Sequence, residues 1–241
     1  MNTKTDLIGD IVAQDFRTAA IFKKHHIDFC CKGGRTIQEA CEHKNISPEL
    51  LYNEIENLPK GNDSQIDFNN WELDLLADYI EKTHHRYVTE KIPILQAFLE
   101  KLAKVHGDRH PELLEIKSLF DASAQDLSAH LKKEELVLFP FIRNMVKAKL
   151  EQLPLPQPHF GTIENPIAMM KEEHSVEGER LRKIAELTDE YLPPADACNT
   201  YKVTFAMLQE FEDDLHRHIH LENNILFPKA IAMEEQLRVN G

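Results

Sequence analysis

Cysteine is scarce in this chain, long apolar runs are missing, and positive charge is in the minority; each shortage removes a class of protein. Four cysteines (Cys30, Cys31, Cys41 and Cys198) are too few and too scattered over 241 residues to form a disulfide scaffold, and they fit a reducing compartment. No apolar run approaches the roughly 18 residues that a membrane-spanning helix needs, so no membrane partner is expected. The opening "MNTKTDLIGDIVAQDF" lacks the basic start and apolar core of a secretory signal, and a cytoplasmic location is the expectation. Basic residues number 28 against 41 acidic ones, a net charge of −13. A nucleic-acid footprint needs a concentrated basic face, so that partner is excluded as well. Nothing alternates with the period of two that strands require.

What is present is helix. Residues 1–58 carry short helically patterned segments, with "SPEL" at 47–50 offering a serine cap and a proline at the first helical position. The polar, turn-rich stretch at 59–68 reads as a linker. From 69 to 241 the pattern is long and helical in four segments: Asn69 or Asn70 to Val105, Pro111 to Leu150, Glu164 to Tyr191, and Ala195 to Leu237. The expected fold is all-α, a small N-terminal helical domain followed by an up-down-up-down four-helix bundle. Pro93 lies inside the first long helix and is expected to kink it.

Two stretches stand out. "HLKKEELVLFP" (130–140) and "HIHLENNILFP" (218–228) share the pattern His-x3-Glu-x3-Leu-Phe-Pro. A single His-x3-Glu on a helix is ordinarily a solvated pair worth a few tenths of a kcal/mol (about 0.2–0.5). Here the helical phase places the pairs inside. Phe120, Leu127, Glu134 and Phe141 share one line, with His130 a turn before Glu134; Leu208, Leu215 and Glu222 share another, beside Phe211, His218 and Ile225. His216 and His220 have ligand spacing too, but line up with Gln209, Asn223 and Asp213 and lean to the polar face. On the third helix His174 falls between Ile167 and Leu181, with Gly178 one turn on leaving room for a small ligand beside the imidazole. On the first, "THHRY" offers His84 and His85. The stripe Leu73, Leu76, Ile80, Tyr87 favours His84, and adjacent helical residues point about 100° apart, so one of the two is expected to serve the site.

Four imidazoles and two carboxylates buried without a partner ion would carry a heavy desolvation cost. A metal pair resolves it, each ion taking two imidazoles and both carboxylates bridging. Nitrogen and oxygen donors without thiolate suit non-haem iron, with manganese second. The vicinal Cys30-Cys31 in "FCCKGG" admits two readings: inert buried thiols, or reactive ones activated by Lys32, Arg35, His25 and His26.

The stretch "FKKHHIDFCCKGGRTIQEAC" is similar to the N-terminal domain of the iron–sulfur cluster repair di-iron proteins of the ScdA and YtfE type. "HLKKEELVLFP", "EEHSVEG" and "HIHLENNILFP" resemble the hemerythrin-like bundle that follows it in that family. Carried over by motif, the family's iron ligands fall on His130, Glu134, His174, His218 and Glu222, and its cysteine pair on Cys30 and Cys31. Counting back from Pro93 favours His85 for the remaining histidine, where the stripe favours His84; a local rotation at Pro93 would reconcile the two, and both stay candidates. The longer proline-containing loop at 150–162 departs from the family pattern. The resemblance implies two non-haem iron ions in an oxo- and carboxylate-bridged centre. It also implies a cytoplasmic homodimer that repairs iron–sulfur proteins damaged by nitrosative or oxidative stress by supplying iron. Nitric oxide and oxygen are the small ligands, and nitric oxide reduction is a further chemistry such a centre allows. An oxygen or nitric oxide carrier or sensor would need only the bundle and leave the cysteine domain idle. A ferritin-like oxidase would need paired Glu-x-x-His motifs, of which the bundle has one, Glu81 to His84.

Overall fold

The periodicity of 3.6 is realised throughout: every regular element is helical among the described residues of this computed structural model, which are 5–42, 44, 46–58 and 66–239. The N-terminal unit contains α1 (Ile8–Gln14), α2 (Thr18–Lys24), α3 (Ile37–Glu42) and α4 (Pro48–Glu56). Helices this short are marginal alone. They persist because Ile8, Ile11, Phe22, Ile37 and Leu51 are buried in one apolar cluster. Pro48 opens α4 as expected, but the Ser47 hydroxyl donates to Glu49 Oε2 (2.5 Å) instead of capping the helix. Most of the expected linker, residues 59–65, lies outside the described residues; Phe68–Asn70 forms a single 3-10 turn at its end.

Four long helices form the bundle. The first joins α5 (Leu73–Ile80) to α6 (Arg86–His106), the second joins α7 (Glu112–Lys133) to α8 (Phe139–Glu151), the third is α9 (Glu164–Leu187), and the fourth joins α10 (Asn199–Leu221) to α11 (Phe227–Val239). Each join is a π turn: Glu81–His85, Glu134–Leu138 and Glu222–Leu226. Helix α6 packs on α7 and α10, and α9 also packs on α7 and α10, the neighbour order of an up-down-up-down bundle. Pro93 is exposed and α6 runs through it without a break, and the change of phase in this helix falls at the π turn upstream.

Two helix ends differ from the expectation. The third helix stops at Leu187 because the Thr188 hydroxyl donates back to Ile184 O (2.8 Å) and accepts from the Tyr191 N–H (3.0 Å). Asp189, Glu190 and Tyr191 then take left-handed conformations (φ 48°, 55° and 63°). The fourth starts at Asn199, after a turn closed by Ala197 N–H to Pro194 O at 3.0 Å.

The bundle interior has two apolar clusters. One includes Val88, Leu95, Leu127, Leu131, Leu215 and Ile219, and the other Leu76, Ile80, Phe139, Ile142, Leu226 and Phe227. The candidate ligands His85, Glu134 and Glu222 of the π turns belong to neither cluster, while Leu138, Ile225 and Leu226 of the same turns belong to the second. The N-terminal unit docks against α9 and α10. Lys23 donates to Glu212 (2.8 Å) and Asp213 (2.5 Å), and Phe16 and Phe29 lie against the His220 ring at 5.8 and 6.0 Å. This corrects the placement of His216 and His220. They face a polar side of the bundle only until the N-terminal unit covers it; His220 is buried, and burial pushes its pKa down to about 3.

Candidate metal centre

The π turns set the centre's geometry. An α-helix advances about 100° per residue, so a residue four after Ile80 would share its face. The π turn admits one extra residue, and Ile80 and His85, five apart, both point inward. Such turns mark functional positions in many helices, and here each begins or ends on a candidate ligand.

Six side chains converge. His85 Nε2 lies 3.4 Å from Glu134 Oε2 and 3.9 Å from Glu222 Oε1, and His218 Nε2 lies 3.1 Å from Glu222 Oε1. Across the carboxylates, His130 Nε2 is 3.3 Å from Glu134 Oε2 and His174 Nε2 is 3.2 Å from Glu222 Oε2. The donor atoms form two groups, His85/Glu134/His218/Glu222 and His130/Glu134/His174/Glu222, each within 4.8 Å. Both carboxylates belong to both groups.

The donor set fits a pair of cations. All four carboxylate oxygens of Glu134 and Glu222, with His85 Nε2 and His218 Nε2, are buried without a hydrogen-bond partner. Orphaned buried polar atoms of this number are costly unless something binds them. The charges lean the same way. Burial alone would lower the two imidazoles, but Glu134 and Glu222 outweigh it at His85, pushed up to about 10, and Glu222 chiefly at His174, pushed up to about 9. Burial wins at His218, which drops to about 3. Burial and repulsion from Glu222 raise the Glu134 carboxyl, whereas the surrounding imidazoles overcome burial to hold Glu222 well down. Carboxylates that draw protons onto imidazoles without a metal can draw a cation in their place.

Behind the ligands stand partners that orient them. His85 Nδ1 meets Glu135 Oε1 at 2.9 Å, His130 Nδ1 meets Glu173 Oε2 at 2.8 Å, and His174 Nδ1 meets Asn223 Oδ1 at 3.0 Å. Each favours the proton on Nδ1, the tautomer that ligates through Nε2, and His130 Nε2 and His174 Nε2 meet each other at 3.1 Å. His84 is buried too, but its Nδ1 meets Asp214 Oδ1 at 2.9 Å and its ring stacks on His218 at 5.7 Å. It is not a member of either donor group. A cavity of about 290 Å³ between α7 and α9 reaches His130, His174 and His218, with Asp126, Lys133 and Glu173 on its wall.

The N-terminal cysteines lie against this centre. The Cys31 thiol donates to His174 O (3.3 Å), and a Cβ on Gly178 would sit 3.2 Å from Cys31 Sγ. The room beside His174 that Gly178 opens is thus filled by a cysteine, not left for a small ligand. The expected basic surroundings of the thiols are also corrected. His25 pairs with Glu54 and Lys32 with Glu179, while Asp28 faces both cysteines. The neighbouring Cys31 thiol, burial and the Asp28 charge together push the Cys30 thiol well up.

Comparison with known sequences agrees with this architecture part by part. The sequence model of the hemerythrin HHE cation binding domain matches residues 76–230, and that of ScdA_N, a domain of unknown function (DUF542), matches residues 4–59. The iron–sulfur cluster repair protein ScdA of Staphylococcus haemolyticus is 32% identical over 229 residues, covering 95% of this chain and 99% of that protein. The iron–sulfur cluster repair protein YtfE of Musicola paradisiaca is 32% identical over 234 residues, covering 97% and 100%. ScdA of Staphylococcus epidermidis reaches 34% over 233 residues, covering 95% and 100%. The chain belongs to the iron–sulfur cluster repair family.

Of the orienting residues, Glu173 reads in sequence as a surface residue with a lesser possibility of supporting His174 beside it, and Glu135 and Asn223 carry no signal of their own. Each is adjacent in sequence to a ligand ("KEEL", "EEH", "LEN"), and that adjacency was the available clue. No helix among the described residues is long and apolar enough to cross a membrane.

Proposed function

We propose that the chain holds a carboxylate-bridged pair of non-haem iron ions, with the oxo bridge that the family resemblance implies. His85 and His218 serve one ion, His130 and His174 the other, and Glu134 and Glu222 both. The observation that carries this reading is the sharing of two buried carboxylates, with every oxygen unpartnered, between two histidine pairs. When bound, the ion pair supplies Lewis-acid and one-electron redox capacity toward small ligands such as nitric oxide or oxygen.

The function we infer is repair of iron–sulfur clusters damaged by nitrosative or oxidative stress, with iron as the cargo supplied to the damaged protein. The chain's residues suit retention that can be reversed. Glu134 and Glu222 each face both histidine pairs, and the adjoining cavity reaches His130 and His174, its wall lined by the ion pairs Asp126–Arg180 and Glu173–Lys133. Cys30 and Cys31 stand beside the centre, where transfer or docking of an acceptor would occur. Free thiols fit the cytoplasm, and a homodimer follows from the resemblance. The carrier or sensor reading leaves the contact between the cysteine loop and His174 without a use.

Iron-loaded full-length protein is expected to restore activity to an iron–sulfur enzyme inactivated by nitric oxide or peroxide. Iron-loaded Cys30→Ala/Cys31→Ala is expected to restore it more slowly at equal iron content. If loaded wild type restores none, repair by iron supply is wrong.

A further inference from the structure

The two metal positions are not held alike: His218 Nδ1 is buried without a hydrogen-bond partner at one, and the N-terminal unit holds His174 at the other. Around His85 and His130 the orienting partner is a carboxylate on the bundle itself, Glu135 and Glu173. His174 instead leans on a neutral amide, and that amide is held from outside the bundle. Asn223 Oδ1 accepts from His174 Nδ1, while Asn223 Nδ2 donates to Cys30 O at 3.3 Å. The backbone of the same histidine is engaged as well, since the Cys31 thiol donates to His174 O. Both ends of His174 are therefore tied to two consecutive residues of the cysteine loop.

The loop is itself clamped. Asn224 Nδ2 donates to Phe29 O (3.2 Å) and Cys30 O (3.4 Å). Its Oδ1 lies where a Cβ on Gly9 or Gly33 would come within 2.5 or 2.7 Å, so these glycines let the two chains close on it. Gly178 leaves the space that Cys31 Sγ occupies. Three elements from two domains thus meet on one imidazole, and the Asn223 amide that orients that ring is held at its other end by Cys30 O.

Resting on the metal-centre reading above, the geometry points to Asn223 and Cys31 as positioning residues for the His130/His174 position alone, making this the position from which iron is released. Engagement of the thiols by an iron acceptor removes the Cys31 hydrogen bond and shifts Cys30 O, so His174 loses both ties together. His85 and His218 make no hydrogen bond to the loop, and the ligand next to Asn223 is Glu222, which the remaining ion continues to hold. Release is thereby coupled to the arrival of an acceptor, and one ion stays to hold the carboxylates in place.

The test uses full-length protein reconstituted with two equivalents of iron(II) under anaerobic conditions, with release to the chromophore ferrozine followed in time. Orienting partners of metal-bound histidines typically change affinity by about 10–100-fold. Asn223→Leu and Cys31→Ala are each expected to accelerate one equivalent about tenfold and leave the other unchanged, and the Mössbauer signal of one iron alone should shift. Cys31→Ser, which keeps a donor, should return release to the wild-type rate. Gly178→Ala, whose Cβ would lie 3.2 Å from Cys31 Sγ and press on the thiol, should accelerate the same equivalent by less than Cys31→Ala does. Glu135→Gln should accelerate the opposite equivalent. Equal acceleration of both irons, no acceleration, or a Cys31→Ser protein as fast as Cys31→Ala overturns the assignment. A wild type that takes up no iron pair fails earlier, in the iron content, and brings down the metal-centre reading with it.

Discussion

Glu134 and Glu222 have no solvent exposure and no hydrogen-bond partner for any of their four oxygens, so they are stabilised by the charges that face them. The imidazoles do this in the metal-free chain, and cations would do it better. The choice between His84 and His85 follows from the same contacts. His85 Nε2 faces both carboxylates, whereas the nearest carboxylate to His84 is Asp214, on its other nitrogen. His85→Asn is therefore expected to lose the coupled iron pair, while His84→Asn keeps two irons per chain. Iron analysis with Mössbauer spectra on both variants checks this, and the reverse pattern would assign the ligand to His84.

At the scale of elements, the π turns explain why periodicity chose His84. A stripe extrapolated at 3.6 residues per turn from Leu73, Leu76 and Ile80 is correct up to Ile80 and one residue short beyond it. The other two π turns open at Glu134 and Glu222 themselves, so His130 and His218, which precede them, are placed correctly by the same extrapolation. The end of α9 carries the opposite kind of irregularity. Three consecutive non-glycine residues in the left-handed region cost roughly 1–2 kcal/mol each, and Glu190 among them is exposed. Glu190→Gly removes that penalty and adds the smaller entropic one of glycine. It should stabilise the protein by up to about 1 kcal/mol, read as a higher urea midpoint, with iron content unchanged.

For the whole molecule, the charge balance of the centre makes stability depend on pH in a stated direction. In the metal-free chain His85 is pushed up to about 10 and His174 to about 9, from 6.5. A raised folded pKa stabilises while the proton is kept, fully below about pH 6.5 and progressively less as pH climbs through 9 and 10. His218 and His220, both held near 3, act only below 6.5 and do not disturb that window. Metal-free protein should therefore unfold at lower urea at pH 9.5 than at pH 7. Iron-loaded protein should lose less over the same interval, because the metal replaces the protons. Matched urea titrations at the two pH values decide it.

Much of this was legible from residue order because helix periodicity is local. The four long segments, the duplicated His-x3-Glu pairs and the inward phase of His174 all follow from which residues recur every three or four positions. What only the tertiary structure decided depends on contacts between distant parts of the chain. His85, and not His84, faces Glu134 and Glu222 because a π turn carries it toward carboxylates on two other helices. His216 and His220 left the surface because an N-terminal unit nearly 200 residues earlier packs over them. Gly178 serves the Cys31 thiol rather than a ligand because that unit brings the cysteine loop to it. A local pattern shows which face a residue takes; which partner meets it there is settled by long-range packing alone.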